Sequence, residues 1–339
     1  MNPQIIVVDD DPIILKRAWN TLTDAGMKVV VLKSGSALLE YMNNNPAPDL
    51  ILMDINMPEM DGFETMKELK KSDAAKDTPV IFLTGNEDES IETTGLSLGA
   101  MDFIRKPFVS SVLVLRVKHA VELVRLQKDL ESAVNEKTKE NERLFVQVVA
   151  CLADAIDAKD TYTNGHSGRV ARYSREIARK YGYDENNLDE IYIMGLLHDV
   201  GKIGVPDEVI NKPGRLTDEE FQCIKKHPTI GGKILGNIRE MPQLAAGAKW
   251  HHERYDGRGY PEGLAGDEIP EEARIIAVAD AYDAMTSNRS YRGALPQEVV
   301  RAEIEKGKGS QFDPKFADIM LSMIDEDKDY CMRDKREGE

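Results

Sequence analysis

The sequence predicts a multidomain protein in which an α/β domain with a doubly wound, five-stranded parallel sheet is joined by a long helix to an all-α helical domain. Three observations support this prediction. Five short apolar runs alternate with segments of helical period within the first 108 residues. Residues 109–150 contain few glycines or prolines and many helix formers. From about residue 145 onward, helical periodicity continues without a convincing strand ladder.

The bulk composition is that of a globular protein. A chain of 339 residues can bury two cores, and 41% hydrophobic with 31% charged residues excludes global disorder. No apolar run approaches the roughly 18 residues of a membrane span, and the chain does not start with a secretion signal. The three cysteines form no CxxC pair, which is typical of a reducing compartment. We expect a cytoplasmic protein without membrane insertion, and the net charge of −16 disfavours DNA or RNA polymers as partners.

The apolar runs of the first domain predict five strands, at residues 4–8, 28–32, 50–53, 80–83 and 101–104. In a doubly wound sheet, ligands bind at the carboxyl ends of the strands, where the strand order reverses. Three carboxylates should converge at that edge, because Asp9 and Asp10 follow the first strand and Asp54 follows the third.

These three carboxylates repel one another unless a divalent cation lies between them, and hard oxygen ligands favour magnesium. A carboxylate at such a site can act as a nucleophile toward phosphorus and form an aspartyl-phosphate. Any single aspartate would more often be a turn or cap residue. The combination at the strand ends therefore favours a phosphoryl-accepting magnesium site.

Residues 1–125 resemble the receiver domain of response regulators. The matching segments are VVDDDP, MDINMPEMDGFE, FLTG and FIRKPF. The resemblance implies that Asp54 is the phosphoacceptor and that a cognate sensor histidine kinase supplies the phosphoryl group. It also implies that Mg²⁺ binds Asp10, Asp54 and the carbonyl of Asn56, with Asp9 helping from the outer sphere.

The same resemblance assigns roles at the ends of the fourth and fifth strands. Thr84 and Lys106 would hold the phosphoryl oxygens, and Phe103 would be an aromatic switch residue. The Lys106–Pro107 peptide bond would be cis.

The helix at 109–150 carries a possible seam for a partner helix. Leu113, Val117, Ala120 and Val124 recur at spacings of four, three and four residues, and the seam becomes polar between Glu131 and Glu142. We expect a homodimer in which this helix pairs with its own copy and transmits phosphorylation as a change of register or packing. A passive spacer is the alternative.

The second half of the chain predicts a series of helices, at residues 142–159, 166–181, 187–199, 217–238, 242–251, 271–286 and 296–306. It also contains five of the six histidines. Two of them, His251 and His252, are adjacent and precede a turn with glycines at positions 257 and 259, which leave room for a ligand. His198 is followed directly by Asp199, and such a pair offers one imidazole and one carboxylate that can bridge two metals.

A single histidine would more often have a structural role, but this number in one helical domain favours a metal site. The complete set of candidate ligands is His166, His198, Asp199, His227, His251, His252 and Asp280. It is large enough for two octahedral metals with open positions for water.

Three segments, HDVGK, HHERYDGRGYP and DAYDAMTSNRSYR, resemble the HD-GYP phosphodiesterases, a subgroup of the HD superfamily. We place this domain at residues 145–324, followed by a charged tail at 325–339. The resemblance implies metal ligation by all seven candidates, with Asp199 as the bridge. It implies hydrolysis of cyclic di-GMP to pGpG, and in some members to GMP, by water activated between two metals.

The resemblance also implies contacts to the substrate. Lys202 would touch the phosphate or assist the departing oxygen, which makes Asp199 and Lys202 the candidate catalytic residues. Tyr260 and Arg289 match ligand-contacting positions, and Arg292 lies where a basic residue is usual. The arginines could instead be solvated residues at a helix end.

One departure from the family pattern concerns the number of metals. Members with three metals carry a glutamate one helical turn before the first histidine, where this chain has Tyr162. We therefore expect two divalent metals and name iron or manganese, although histidine and carboxylate ligands do not single out one metal.

The sequence thus predicts a response regulator whose output domain is a metal-dependent cyclic di-GMP phosphodiesterase controlled by phosphorylation of Asp54. One alternative is a non-catalytic regulator that binds a cyclic dinucleotide or a partner protein. A missing metal ligand would have favoured it, and none is missing. Another alternative is a phosphodiesterase for a different cyclic dinucleotide.

Overall fold

The computed structural model describes residues 2–72, 75–85, 89–160, 165–287 and 293–332. The chain divides into two compact units, Met1–Thr138 and Lys139–Glu339. None of the described helices combines the length and apolar character that a membrane crossing needs.

The first unit is built on a five-stranded parallel sheet in the order β2-β1-β3-β4-β5, which confirms the predicted doubly wound fold. The strands are β1 (Gln4–Val8), β2 (Lys28–Leu32), β3 (Leu50–Asp54), β4 (Val80–Thr84) and β5 (Asp102–Arg105). The helices between them are α1 (Pro12–Asp24), α2 (Gly35–Asn44), α3 (Gly62–Lys71) and α4 (Glu89–Ser97).

Helices cover both faces of this sheet, so its strands are continuous apolar runs instead of alternating ones. Ile5 and Val7 of β1 belong to one buried cluster, and Ile6 and Val8 belong to the cluster on the opposite face. The strand order reverses between β1 and β3. The carboxyl ends of these two strands therefore border the ligand-binding edge of the sheet.

A single helix, α5 (Ser110–Asp157), follows the sheet, as the sequence predicts. The prediction that Leu113, Val117 and Ala120 form a seam for a partner helix is wrong. Leu113, Val117 and Ala120 are buried in the cluster that includes Ile5 and Val7, so they pack against the sheet of their own domain. Farther along, Leu123 and Leu130 are exposed.

The described part of the second unit is helical. Its helices are α6 (His166–Tyr181), α7 (Glu185–Leu197), α8 (Asp207–Ile210), α9 (Asp218–Ile224), α10 (His227–Leu235), α11 (Leu244–Trp250), α12 (Glu271–Thr286), α13 (Gln297–Gly307) and α14 (Pro314–Glu326), with 3-10 turns at Val200–Gly204 and Gly266–Glu268. Two differences from the prediction stand out. The helix expected at 217–238 is divided into α9 and α10, and α14 was not expected.

Helix α12 lies at the centre of the second core. Tyr282 of α12 is fully buried, and its ring meets that of Tyr173 of α6 edge to face, with 5.1 Å between the ring centroids. Because α12 packs against α6, α7 and α11, polar residues of α12 lie close to the ends of several helices. This packing brings widely separated candidate ligands together.

Candidate metal and phosphoryl sites

Three aspartates meet at the edge of the sheet, as the sequence predicts. Asp9 and Asp54 are buried at the ends of β1 and β3, Asp10 is exposed, and one oxygen atom of each lies within 4.8 Å of the others. The Lys106 Nζ lies 2.6 Å from Asp9 Oδ2 and 2.8 Å from Asp54 Oδ1. Burial raises the pKa of the Asp54 carboxyl, and the Lys106 ammonium partly opposes this effect. The cluster has the charge and geometry of a magnesium and phosphoryl site.

The other receiver candidates surround this cluster. Thr84 is buried at the end of β4, and its carbonyl accepts the backbone N–H of Lys106 at 2.7 Å. The Lys106–Pro107 bond is cis, as expected. The backbone N–H of Asn56 donates to Asp54. Phe103 is buried, with its ring centroid 5.6 Å from that of Phe82, so it faces the interior of the domain.

The seven candidate metal ligands of the second unit form two groups. In each group, one donor atom per residue lies within 4.8 Å of the others. One group contains Asp199, His227, His251 and His252, and the other contains His166, His198 and Asp280. The helix ends bring them together, because His166 and His227 begin α6 and α10 while His198 and His251 directly follow α7 and α11.

Asp199 lies between the two groups. Its Oδ1 is 3.2 Å from His227 Nε2 and 3.8 Å from His251 Nε2. Its Oδ2 is 3.7 Å from His166 Nε2 and 3.5 Å from His198 Nε2. Each oxygen therefore faces a different group, which is the arrangement a bridging carboxylate needs. Burial alone would raise the pKa of Asp199, but Lys202 and the nearby histidines hold it well below its usual value.

Backbone carbonyls fix the orientation of three imidazoles. The Nδ1 of His198 donates to Gly195 O at 2.7 Å, that of His227 to Ile224 O at 2.8 Å, and that of His251 to Ala248 O at 3.0 Å. Because a carbonyl can only accept, the proton of each neutral ring is on Nδ1 and the Nε2 lone pair is available.

The Nε2 of His198 is buried and has no hydrogen-bond partner among the described residues. A buried acceptor without a partner is costly, and a metal ion would satisfy it. Burial, reinforced by neighbouring histidines, lowers the pKa of His251 well below its usual value and that of His252 to about 4. Both rings are therefore neutral at pH 7 and able to bind a metal, so the residues fit a metal centre.

Asp283 is a functional candidate that the sequence analysis missed. Its Oδ2 accepts a hydrogen bond from His166 Nδ1 at 2.7 Å, and its Oδ1 accepts one from Arg169 Nε at 2.6 Å. Burial would raise the pKa of Asp283, but His166 and Arg169 lower it to about 2. Asp283 could have been found from its position three residues after Asp280, because this spacing places both carboxylates on one side of α12.

Lys202 lies in the 3-10 turn that follows Asp199. Its Nζ is 2.7 Å from Asp199 Oδ2 and 3.3 Å from Asp160 Oδ2. Burial lowers the pKa of Lys202, but the two carboxylates outweigh burial and raise it. The side chain therefore carries a positive charge beside the proposed bridging carboxylate.

The glycine-rich loop places Tyr260 beside the metal ligands. The backbone N–H of Tyr260 donates to His252 O at 3.2 Å, and the two rings are 4.9 Å apart between centroids. A Cβ at Gly259 would lie 2.3 Å from the backbone nitrogen of Arg254, so this close turn needs glycine. Glu253, another residue the sequence analysis missed, accepts the backbone N–H groups of residues 262 and 263 through Oε1, at 2.7 and 3.0 Å.

A cavity of about 460 Å³ opens next to these ligands. Its walls include His252, Tyr260, Asp280, Met285 and Phe312. The volume is within the usual range of small-molecule sites. The cavity therefore gives a ligand direct access to the metal-ligand groups.

Comparison with known proteins agrees with this architecture. A response regulator receiver domain matches residues 5–118, and an HD domain matches residues 150–316. A cyclic di-GMP phosphodiesterase of Thermotoga maritima is 35% identical, over 98% of this chain and 94% of the relative. The cyclic di-GMP phosphodiesterase response regulator RpfG of Xanthomonas campestris is 33% identical, over 90% of this chain and 89% of the relative.

The chain belongs to the response regulators with an HD domain. A further relative of this HD-domain response regulator, a 3′3′-cGAMP-specific phosphodiesterase of Vibrio cholerae, is 40% identical. That match covers 53% of this chain and 35% of the relative. HD domains depend on metals, and the two ligand groups are the candidate positions for them.

Three sequence-based assignments in this HD-domain response regulator lie outside the described residues. They are Tyr162, on which the expected number of metals rests, and the substrate-binding candidates Arg289 and Arg292. One cationic residue that the sequence analysis did not consider, Lys225, has its Nζ 5.0 Å from the centroid of the Tyr260 ring. It adds positive charge beside the Tyr260 ring.

Proposed function

We propose that this HD-domain response regulator hydrolyses cyclic di-GMP, and that phosphorylation of Asp54 controls the reaction. The observation that carries the proposal is the position of Asp199, whose two oxygens face two separate groups of correctly oriented ligands. Two relatives that align over nearly the whole chain bear the name of cyclic di-GMP phosphodiesterases. Their names support the choice of substrate.

The metal centre would hold two divalent cations, for which we propose iron or manganese, since imidazoles and carboxylates bind both. One cation would be held by His227, His251 and His252 and the other by His166, His198 and Asp280, with Asp199 between them. When bound, two such cations lower the pKa of water and offset the charge of a phosphodiester. Metal analysis of anaerobically purified protein should give two iron or manganese ions per chain, apart from Mg²⁺ in the receiver domain, and three would contradict the argument from Tyr162.

The protein side chains orient the substrate and the charges around it. Asp199 stays ionised because Lys202 and the histidines stabilise its carboxylate. Lys202 carries its positive charge beside Asp199, where it would contact a phosphate oxygen or assist the departing oxygen. Tyr260 lines the cavity and offers an aromatic surface to the nucleotide, and Arg289 and Arg292 would bind its phosphates.

In the receiver domain, Asp54 would accept a phosphoryl group from a sensor histidine kinase. Mg²⁺ would bind Asp10, Asp54 and the carbonyl of Asn56, with Asp9 in the outer sphere. Lys106 already contacts Asp54 at 2.8 Å, so its ammonium is in position to bind a phosphoryl oxygen together with Thr84. The buried Phe103 would be the switch residue that responds to the new charge.

We further propose a cytoplasmic homodimer that forms through α5. The contact would use exposed leucines, because the seam expected from the sequence is buried in the receiver core. Leu123, Leu130 and Leu144 are 58%, 65% and 55% exposed and recur at multiples of seven residues, the period of a coiled coil. Leu130→Asp should convert the dimer to a monomer in light scattering, and a persistent dimer would contradict this contact.

The decisive experiment measures turnover of cyclic di-GMP by the full chain with iron or manganese. His198→Ala and Asp199→Ala should remove turnover, and Asp54-phosphorylated protein should differ from unphosphorylated protein in rate. Tight nucleotide binding without turnover under any metal would favour the non-catalytic regulator.

A parallel measurement with 3′3′-cGAMP addresses the substrate, because one relative is specific for that nucleotide. A higher kcat/KM for 3′3′-cGAMP than for cyclic di-GMP would overturn the proposed substrate and leave the metal-dependent reaction intact.

A further inference from the structure

The end of α5 contacts three parts of the HD site. Helix α5 ends at Asp157, and the next three residues continue as a turn in which the Asp160 N–H donates to Asp157 O at 3.0 Å. Within this short segment, the side chains of Asp157, Lys159 and Asp160 form hydrogen bonds with other elements of the site. None of the three is among the candidate ligands or substrate contacts described above.

Lys159 clamps the 3-10 turn that carries Lys202. The Lys159 Nζ donates to three backbone carbonyls, those of Lys202 at 3.2 Å, Ile203 at 3.0 Å and Val205 at 2.6 Å. It also lies 3.3 Å from Asp207 Oδ1. The Lys159 ammonium is therefore the shared hydrogen-bond donor of three carbonyls at the end of the turn.

The neighbouring aspartates contact the same site from the same segment. Asp160 Oδ2 accepts a hydrogen bond from the Lys202 Nζ at 3.3 Å, and the same ammonium lies 2.7 Å from Asp199 Oδ2. Asp157 is buried, and its two oxygens accept the N–H and the hydroxyl of Ser167 at 3.0 and 2.7 Å. Ser167 follows His166 at the start of α6, so Asp157 caps the helix that presents a candidate metal ligand.

A 3-10 turn needs such outside contacts more than an α-helix does. Its hydrogen bonds have poorer geometry, and runs of this length are uncommon. The turn at Val200–Gly204 directly follows Asp199, so its position sets where the Lys202 ammonium lies relative to the bridging carboxylate. A displacement of about 1 Å in such a group can reduce a reaction rate by about a hundredfold.

We propose that Lys159 and Asp160 are positioning residues for Lys202, so that the end of α5 sets the activity of the HD site. Lys159 fixes the backbone of the turn, and Asp160 fixes the direction of the ammonium. The inference rests on the proposed phosphodiesterase function of the same site. It also identifies the segment through which a movement of α5 would reach the catalytic residues.

The test replaces Lys159 with methionine, which keeps the apolar stem and removes the ammonium. In the full chain loaded with manganese, kcat for cyclic di-GMP should fall about 10- to 100-fold while KM changes less than about 3-fold. Amide hydrogen exchange in residues 200–206 should become faster, and metal content should stay at the wild-type value. The matched control is Lys180→Met, because Lys180 is an ion-paired lysine near the opposite end of α6 from His166 and should leave all four quantities unchanged.

Variants of Asp160 provide a second, independent measurement. Asp160→Asn should lower kcat without accelerating exchange in the turn, and Asp160→Glu should recover most of the rate because it restores the charge. If Lys159→Met does not fold, Lys159→Arg replaces it, and near-wild-type kcat and exchange are then expected because the cationic donor is kept.

Two outcomes would overturn the inference. One is wild-type kcat and wild-type exchange in Lys159→Met, and the other is a loss of activity that follows a proportional loss of metal. Failure of the proposed function is distinguishable, because the wild-type protein itself would then show no turnover. In that event, amide exchange in Lys159→Met still decides whether Lys159 positions the turn.

Discussion

Replacing Asp283 with asparagine should weaken metal binding although no metal ligand is removed. The Asp283 carboxylate accepts hydrogen bonds from His166 Nδ1 at 2.7 Å and from Arg169 Nε at 2.6 Å. Asparagine has the same size but only one accepting oxygen. If that oxygen serves Arg169, the amide NH₂ faces His166 and pushes the ring proton to Nε2. The lone pair that should bind the metal is then lost.

The magnitude of this effect follows from burial. Asp283 is 1% and Arg169 is 7% exposed, so the variant removes the charge of a carboxylate that is ion-paired with a buried guanidinium. Removing one partner of such a pair typically costs about 3–5 kcal/mol. Loss of an outer contact to a metal-binding histidine lowers metal affinity about 10- to 100-fold, or about 1.4–2.7 kcal/mol. We expect both effects, because the same carboxylate serves both partners.

The assay combines calorimetric titration of metal-free protein with Mn²⁺ and urea denaturation of the same samples. The control is Asp318→Asn, which removes an exposed carboxylate paired with Lys308 and should change stability by less than about 0.5 kcal/mol. Wild-type affinity at both metal positions in Asp283→Asn would refute the argument that this carboxylate sets the tautomer of His166.

Three further predictions concern other parts of the molecule. The pKa of His252 is about 4 in the folded protein against 6.5 normally. As the pH falls, the imidazole of the unfolded chain is therefore protonated before that of the folded protein. His252 should therefore contribute a loss of about 2 kcal/mol to the stability of metal-free protein between pH 8 and pH 5, so the urea-denaturation profile of His252→Gln should be flatter than that of the wild type by about this amount. Gly259→Ala should displace the loop and weaken nucleotide binding in calorimetry, whereas Gly168→Ala, with open space around its new Cβ, should not. Asp54→Asn should abolish Mg²⁺-dependent phosphoryl incorporation from acetyl phosphate in mass spectrometry, and a retained label would exclude Asp54 as the acceptor.

The periodicity of α5 shows where sequence patterns are ambiguous. Leu113, Val117 and Ala120 have the spacing of a helix-pairing seam, and the structure buries them against the sheet of their own domain. A spacing of three and four residues reports that one side of a helix is covered. It does not report whether a sheet or a second helix covers it, because both partners need the same apolar stripe. The exposed leucines of α5 can be proposed as a helix-pairing contact only after the side of α5 that packs against the sheet is known.

The candidate ligands were predictable from side-chain chemistry, because an HD pair and adjacent histidines are unusual in a helical domain. The residues that hydrogen-bond to these ligands, such as Asp283, were not predictable in this way. Asp280 and Asp283 lie three residues apart on α12, and the sequence gives no reason to assign one to the metal and the other to His166. That distinction depends on the packing of α12 against α6, since this packing places Arg169 and His166 of α6 within hydrogen-bond distance of Asp283.

The division of the expected helix at 217–238 has a local cause that also serves the site. In a continuous helix, the Ile224 carbonyl would accept the N–H of the residue four positions later, but that residue is Pro228, which has no N–H. Helix α9 therefore ends at Ile224, and its free carbonyl accepts the Nδ1 proton of His227 at 2.8 Å.

Unpaired carbonyls at helix ends also explain the backbone hydrogen bonds of His198 and His251. The last carbonyls of any α-helix lack a partner within the helix, so a histidine placed directly after the last helical residue finds one within reach of its Nδ1. His198 follows α7 and bonds the carbonyl three residues earlier, and His251 follows α11 and does the same. The helix ends thus determine both where the imidazoles lie and which nitrogen carries the proton. A histidine at a helix C-terminus, or just before a proline that interrupts a helix, is therefore a stronger metal-ligand candidate than a histidine in a helix interior.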